Sequence, residues 1–139
     1  MNQPNNNGRT PLITASQEVH LDIVKGLISS GALMNQADDD GWTPLNVASL
    51  KGHLDIVKVL ISSGASINQA DINGNTPLNV ASYKGHLEVV KVLISSGALM
   101  NQANNNGRTP LHSASLKGHL EVVKFLISSG ASIEEATDE

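Results

Sequence analysis

Apolar residues come along this chain in short bursts separated by polar turns. Residues 38–70, DDDGWTPLNVASLKGHLDIVKVLISSGASINQA, carry two such bursts. The first takes in Leu45, Ala48 and Leu50, and Lys51-Gly52-His53 interrupts it. The second, Leu54, Ile56, Val57, Leu60 and Ile61, mixes spacings of three and four, which gathers apolar side chains on one face of a helix. The pattern predicts a short helix through Leu45, Ala48 and Ser49 to about Leu50, and a second from about Leu54 to Ser62. Thr43 can cap the first with its hydroxyl, and Pro44 suits the first helical position, where its missing N–H costs nothing. Gly64 can end the second in a left-handed conformation. Asp38-Asp39-Asp40-Gly41 reads as a turn. Asp55 and Lys58, three apart on the wet side, can pair for a few tenths of a kcal/mol.

The same unit recurs. Thr-Pro-Leu begins at Thr10, Thr43, Thr76 and Thr109, at a constant spacing of 33 residues. A period of this size is the signature of a stacked repeat protein. It divides a single domain spanning 1–139 into repeats 5–37, 38–70, 71–103 and 104–136. Such a stack has no central cleft, so function has to lie where the copies differ. Hydrophobic residues make up 40% of the chain but aromatic ones only 2%. The core is therefore expected to be Leu, Ile, Val and Ala in thin, regular layers.

The repeat resembles the ankyrin repeat. The resemblance rests on Gly41-Trp42-Thr43-Pro44-Leu45, Gly52-His53-Leu54, Ile56-Val57 before Leu60-Ile61, and Gly64-Ala65, and it covers residues 5–136. It implies an all-α solenoid in which each repeat is a β-turn finger plus two antiparallel helices. Fingers and first helices would line a concave face, and second helices the convex back. One departure is Asn46 and Asn79, where the family usually has a His that ties neighbouring turns together. His112 keeps that His, and Ile13 replaces it in the first repeat. Asn could partly substitute, whereas Ile13 could not.

Several classes of function are disfavoured. A net charge of −4, with a pI near 5.7, argues against a nucleic-acid binder, which needs a basic face. The absence of cysteine removes disulfides and thiolate chemistry and fits a cytoplasmic setting or an engineered chain without a native compartment, without choosing between them. Met1 to Asn7 is polar and has no apolar h-region, and no apolar run approaches the roughly 20 residues of a membrane span. His20, His53, His86 and His119 share one repeat position. Neighbouring repeats should sit roughly 10 Å apart, too far to share a zinc ion whose ligands lie within about 2.1 Å of it. Each His is therefore expected to support its own inter-helix turn, with no metal or cofactor. No nucleophile elbow, phosphate loop or dinucleotide fingerprint occurs. The acidic run at Asp38 to Asp40 and the tail Glu134, Glu135, Asp138 and Glu139 read as solvated charges, not an acid–base pair. The chain is not expected to be an enzyme.

The copies are unusually alike, and Ser-Ser-Gly-Ala recurs in all four. Such sameness suits an engineered, consensus-like protein or a recent duplication. Where they do differ, the differences fall at the finger tips and at the ends of the first helices. By the family resemblance these positions contact a partner protein. They are Arg9; Asp39, Asp40, Trp42, Leu50 and Lys51; Ile72, Asn73, Asn75, Tyr83 and Lys84; and Arg108, Leu116 and Lys117. Trp42, Leu50, Ile72, Tyr83 and Leu116 are apolar or aromatic where the equivalent places elsewhere hold Arg9, Gln17, Asp39 and Asn75, so they are expected to face water. Aromatic anchors ringed by charges are how interface hot spots are built. Lys51, Lys84 and Lys117 form a column that reads as a solvated edge or a contact row for an acidic partner. The main expectation is a non-enzymatic protein-binding module. Two alternatives are a homodimer or stacked oligomer, formed through the apolar face or the incompletely capped ends, and a scaffold with no partner.

Overall fold

A computed structural model describes residues 1–131 and residue 133. The described residues form eight helices and no strand. In chain order they are α1 (Pro11–Gln17), α2 (Leu21–Ser29), α3 (Pro44–Lys51), α4 (Leu54–Ser62), α5 (Pro77–Lys84), α6 (Leu87–Ser95), α7 (Pro110–Leu116) and α8 (Leu120–Ser128). The odd-numbered helices pack on one another in sequence and the even-numbered helices do the same, which makes a two-layer helical solenoid.

Each first helix starts the way its residues dictate. The Thr10, Thr43, Thr76 and Thr109 hydroxyls accept the N–H three residues on, at 3.3, 3.1, 3.2 and 3.3 Å. A cap of this kind is worth about 1 kcal/mol. Each second helix closes on a glycine. Gly64 (φ +100°) donates to the Ile61 carbonyl and Ala65 to the Leu60 carbonyl, both at 3.0 Å, which satisfies two carbonyls that the helix leaves open. Helix α4 spans the residues that its pattern predicted, and α3 runs one residue past Leu50.

One continuous aliphatic core runs through the stack, with Leu45, Leu60, Leu78 and Leu93 fully buried in the inner repeats. Each contributes about 1.5–3 kcal/mol, so the core outweighs the surface ion pairs. Glu88–Lys91 and Glu121–Lys124 close at 3.5 and 3.9 Å. Among the described residues the expected Asp55–Lys58 pair does not form, and Asp55 is one methylene shorter than the two glutamates that do pair. The acidic tail residues Glu134, Glu135, Asp138 and Glu139 lie outside the described residues.

The histidines correct an expectation. They do not serve their own turns but reach back to the repeat before. His53 Nε2–H donates to the Gln17 carbonyl at 3.0 Å, His86 to the Leu50 carbonyl at 2.9 Å and His119 to the Tyr83 carbonyl at 2.9 Å. A carbonyl can only accept, so Nε2 carries the proton. Glycine makes room for the ring: a Cβ on Gly52 would sit 2.7 Å from His86 Nδ1. In the first repeat that glycine is Val19, whose φ of +67° is strained for a β-branched residue. The Asn substitutes also bond. Asn46 Nδ2 donates to the Gln69 carbonyl at 3.2 Å and Asn79 Nδ2 to the Arg108 carbonyl at 3.0 Å. Ile13 is buried as an apolar residue.

Among the described residues no helix is long and apolar enough to cross a membrane, and no group of three or more His, Asp or Glu could hold a metal ion.

Candidate functional site

The fingers are rigid because their first residue organises them. The Oδ1 atoms of Asn5, Asp38, Asp71 and Asn104 each accept two backbone N–H groups, from the residues two and four ahead, at 2.9–3.1 Å. Adjacent fingers are also tied together. Asp39 N–H donates to the Asn7 carbonyl, Ile72 N–H to that of Asp40, and Asn105 N–H to that of Asn73, at 2.9–3.1 Å. This corrects the reading of Asp38 as a solvated turn charge. Its side chain is only 4% exposed and pairs with Arg9 Nε at 3.3 Å. Arg9 also bonds the Gln17 side chain. Asp39 and Asp40 are exposed, as expected.

Two hollows lie where fingers meet first helices. The larger, of about 760 Å³, is polar and is lined by Arg9, Gln17, Glu18, Asp38, Asp39 and Asp40 among others. The second, of about 280 Å³, has apolar walls made by Trp42, Leu50, Val80 and Tyr83. Its polar lining comes from Asn75, Lys84, Arg108, Asn79, Ser113 and the fourth finger's Asn104 and Asn106. The two hollows differ in sign. The first gathers Glu18, Asp38, Asp39 and Asp40 against one Arg9, while the second holds Lys84 and Arg108 with no acidic residue in its lining.

Of the residues singled out in the sequence, Trp42, Leu50, Asn75, Tyr83, Lys84 and Arg108 come together in the smaller hollow, and Arg9, Asp39 and Asp40 in the larger. Lys51, Ile72, Asn73, Leu116 and Lys117 line neither; all five are exposed. Lys117 Nζ lies 5.1 Å from the centre of the Tyr83 ring, a cation–π contact that steadies it. Trp42 and Leu50 do not stand free in water as expected. Both are half-buried, because the cleft wall they form covers one side of each. Asn75 is also partly structural, since its Oδ1 accepts from Asn104 Nδ2 at 3.0 Å.

Ser113 and Asn79, in the floor of the cleft, were not singled out. Ser113 Oγ donates to Asn79 Oδ1 at 2.6 Å. The signal for it was the switch from Val47 and Val80 to Ser113 at one repeat position. Arg108 Nε is buried and meets no acceptor among the described residues, whereas the equivalent Arg9 Nε has Asp38.

A family model described as ankyrin repeats (3 copies) matches residues 1–71 and again residues 68–137. No curated protein matches the chain in a sequence comparison. Members of that family are in general protein–protein interaction modules rather than enzymes. With the family model accounting for nearly the whole length, and with capped helix pairs and bonded fingers in every repeat, the chain belongs to the ankyrin repeat family.

Proposed function

We propose that this chain binds a protein partner through the face made by its fingers and first helices, with the Trp42–Tyr83 cleft as anchor point. The observation that carries the reading is the cleft itself: the only Trp and the only Tyr of the chain wall one hollow, with Lys84 and Arg108 at its edge. Its volume of about 280 Å³ falls just below the roughly 300–1,000 Å³ of small-molecule sites. It suits one or two side chains projecting from a larger partner.

The charges specify that partner further. An apolar or aromatic side chain enters the cleft. A carboxylate beside it meets Lys84 and gives the buried Arg108 Nε–H an acceptor, relieving an unsatisfied charged donor. A basic group some distance along meets Asp39 and Asp40. Because the fingers are already bonded into one frame, little ordering entropy is lost on binding. An engineered binder and a natural interaction module would use this face in the same way.

The test is capture from a cell extract by the chain and by its Tyr83→Ala variant, followed by titration of the partner that the variant loses. Tyr83 is exposed, so the variant keeps its fold. Tyr83→Ala and Trp42→Ala should each weaken the complex by about 2 kcal/mol, roughly 30-fold in Kd. An affinity unchanged in both variants would refute the reading.

A further inference from the structure

In the Trp42–Tyr83 cleft the hydrogen-bonding groups left free are nearly all of one kind, and the third and fourth fingers are the reason. Asn104 Oδ1 accepts the Asn106 and Arg108 N–H groups at 2.9 and 3.1 Å. A backbone N–H can only donate, so this end of the amide is its oxygen and the other is Nδ2. That Nδ2 donates to Asn75 at 3.0 Å, which makes the facing Asn75 atom Oδ1 and leaves Asn75 Nδ2 unspent. The same logic fixes Asn79. Its Nδ2 donates to the Arg108 carbonyl at 3.0 Å, so its Oδ1 is the atom that receives Ser113 Oγ.

Carbonyls around the cleft are spent as well. His86 takes that of Leu50, His119 that of Tyr83, the Asp71 N–H that of Asn75 and the Asn104 N–H that of Arg108. On the donor side, Asn75 Nδ2, Trp42 Nε1, Lys84 Nζ and Arg108 Nε meet no acceptor among the described residues. The Asn106 amide and the Tyr83 hydroxyl can donate as well as accept. No acidic side chain belongs to the lining. Asp71, at the base of the third finger, is buried, and its Oδ1 holds that finger's own N–H groups. The cleft therefore offers apolar walls and a surplus of donors, two of them cationic, to whatever enters.

We propose that the cleft takes the C-terminal residue of a partner protein. The free carboxylate meets Arg108, Asn75 and Lys84, and the apolar side chain lies between Trp42, Leu50, Val80 and Tyr83. This rests on the binding face proposed above and names the group that enters it. An ionised carboxylate has acceptors and no donor. A chain terminus carries carboxylate and side chain on one Cα, which suits a hollow of about 280 Å³ that holds walls and donors together. An internal acidic residue would bring a peptide N–H on either side, where the carbonyls that could receive them are already bonded. Each N–H left unpaired weakens binding. A terminal residue brings a single N–H, at the end that leaves the cleft. Capture of chain termini by clustered donors is an established mode of peptide recognition.

The experiment follows Trp42, the only tryptophan of the chain, by fluorescence. The probes are N-acetyl-Ala-Ala-Phe as free acid, the same peptide as C-terminal amide, and N-acetyl-Ala-Phe-Glu-Ala-Ala amide, which holds ring and carboxylate internally. The free acid should bind saturably, and the other two about tenfold more weakly or worse. Asn75→Asp keeps the acceptor for Asn104 and replaces the free donor with a carboxylate oxygen, so it should fold and lose the preference for acid over amide. Lys84→Met, at an exposed site, should weaken the acid about threefold or more and leave the amide unchanged. The proposal fails if acid and amide bind alike, if the internal peptide binds as tightly as the acid, if no probe binds, or if Asn75→Asp keeps the preference. Tight binding of the internal peptide would sink the terminal residue alone and leave the binding face standing. That face fails on its own test, when Tyr83→Ala and Trp42→Ala hold the captured partner unchanged.

Discussion

Gly85 and Gly118 hold the same position in successive repeats, with nearly the same backbone, φ +78° and +75°. Their surroundings differ completely. A Cβ on Gly85 would lie 2.5 Å from His119 Nδ1, whereas one on Gly118 would meet nothing within 4 Å. Glycine is therefore required twice over at Gly85, for its left-handed backbone and for the ring seated on it, but only once at Gly118. In a repeat protein the residue repeats but its burden does not, because the burden depends on the neighbour.

The largest effect should come from alanine at these two sites. Gly85→Ala incurs the left-handed penalty and also displaces His119 from its hydrogen bond to Tyr83, for about 3 kcal/mol in all. Gly118→Ala incurs only the first part, about 1 kcal/mol. Urea unfolding of both variants measures the difference, and equal losses would break the comparison.

The next effect separates two other copies. Asn79 Oδ1 is satisfied by Ser113, but Asn46 Oδ1 is buried without a partner, because Val80 stands where Ser113 does one repeat later. Ser113→Val should leave a second buried oxygen unpaired and cost about 2 kcal/mol. Val80→Ser should be milder than Val47→Ser by about 1 kcal/mol, since its hydroxyl finds Asn46 waiting. Equal losses for the two serine variants would show that the orphaned oxygen has no energetic weight.

Val19 tests the backbone half of the glycine argument alone. Val19→Gly should raise the unfolding midpoint, by about 1 kcal/mol in stability, because it releases a β-branched side chain from φ +67°. The smallest effect concerns one serine position of the repeat, buried at Ser82 and exposed at Ser115. Ser82 Oγ has no partner, whereas Ser115 Oγ donates to the Leu111 carbonyl at 2.8 Å. Ser82→Ala should stabilise by about 0.5 kcal/mol and Ser115→Ala should not, a contrast that thermal melting resolves.

These cases also explain what the sequence could reveal. Helix starts were legible because Thr-Pro states its capping chemistry locally, and α4 was legible end to end because its periodicity and its glycine agree. Trp42 and Tyr83 stood out because they break the repeat. The direction of the histidine bonds did not, since His86 and its acceptor Leu50 are 36 residues apart and every copy has the same His. Asp38 could not be told from Asp39 and Asp40 by composition, as only the turn geometry makes the first of three aspartates the buried acceptor. The half-burial of Trp42 depends on cleft walls supplied by the third repeat, and a reading of one repeat at a time cannot supply them.

The backward reach of each histidine gives the stack an arrow in time. A chain made from its N-terminus exposes the Leu50 carbonyl before His86 has been synthesised, and the Tyr83 carbonyl before His119. Each of these carbonyls is in place when its histidine arrives, so each histidine finishes the repeat before its own.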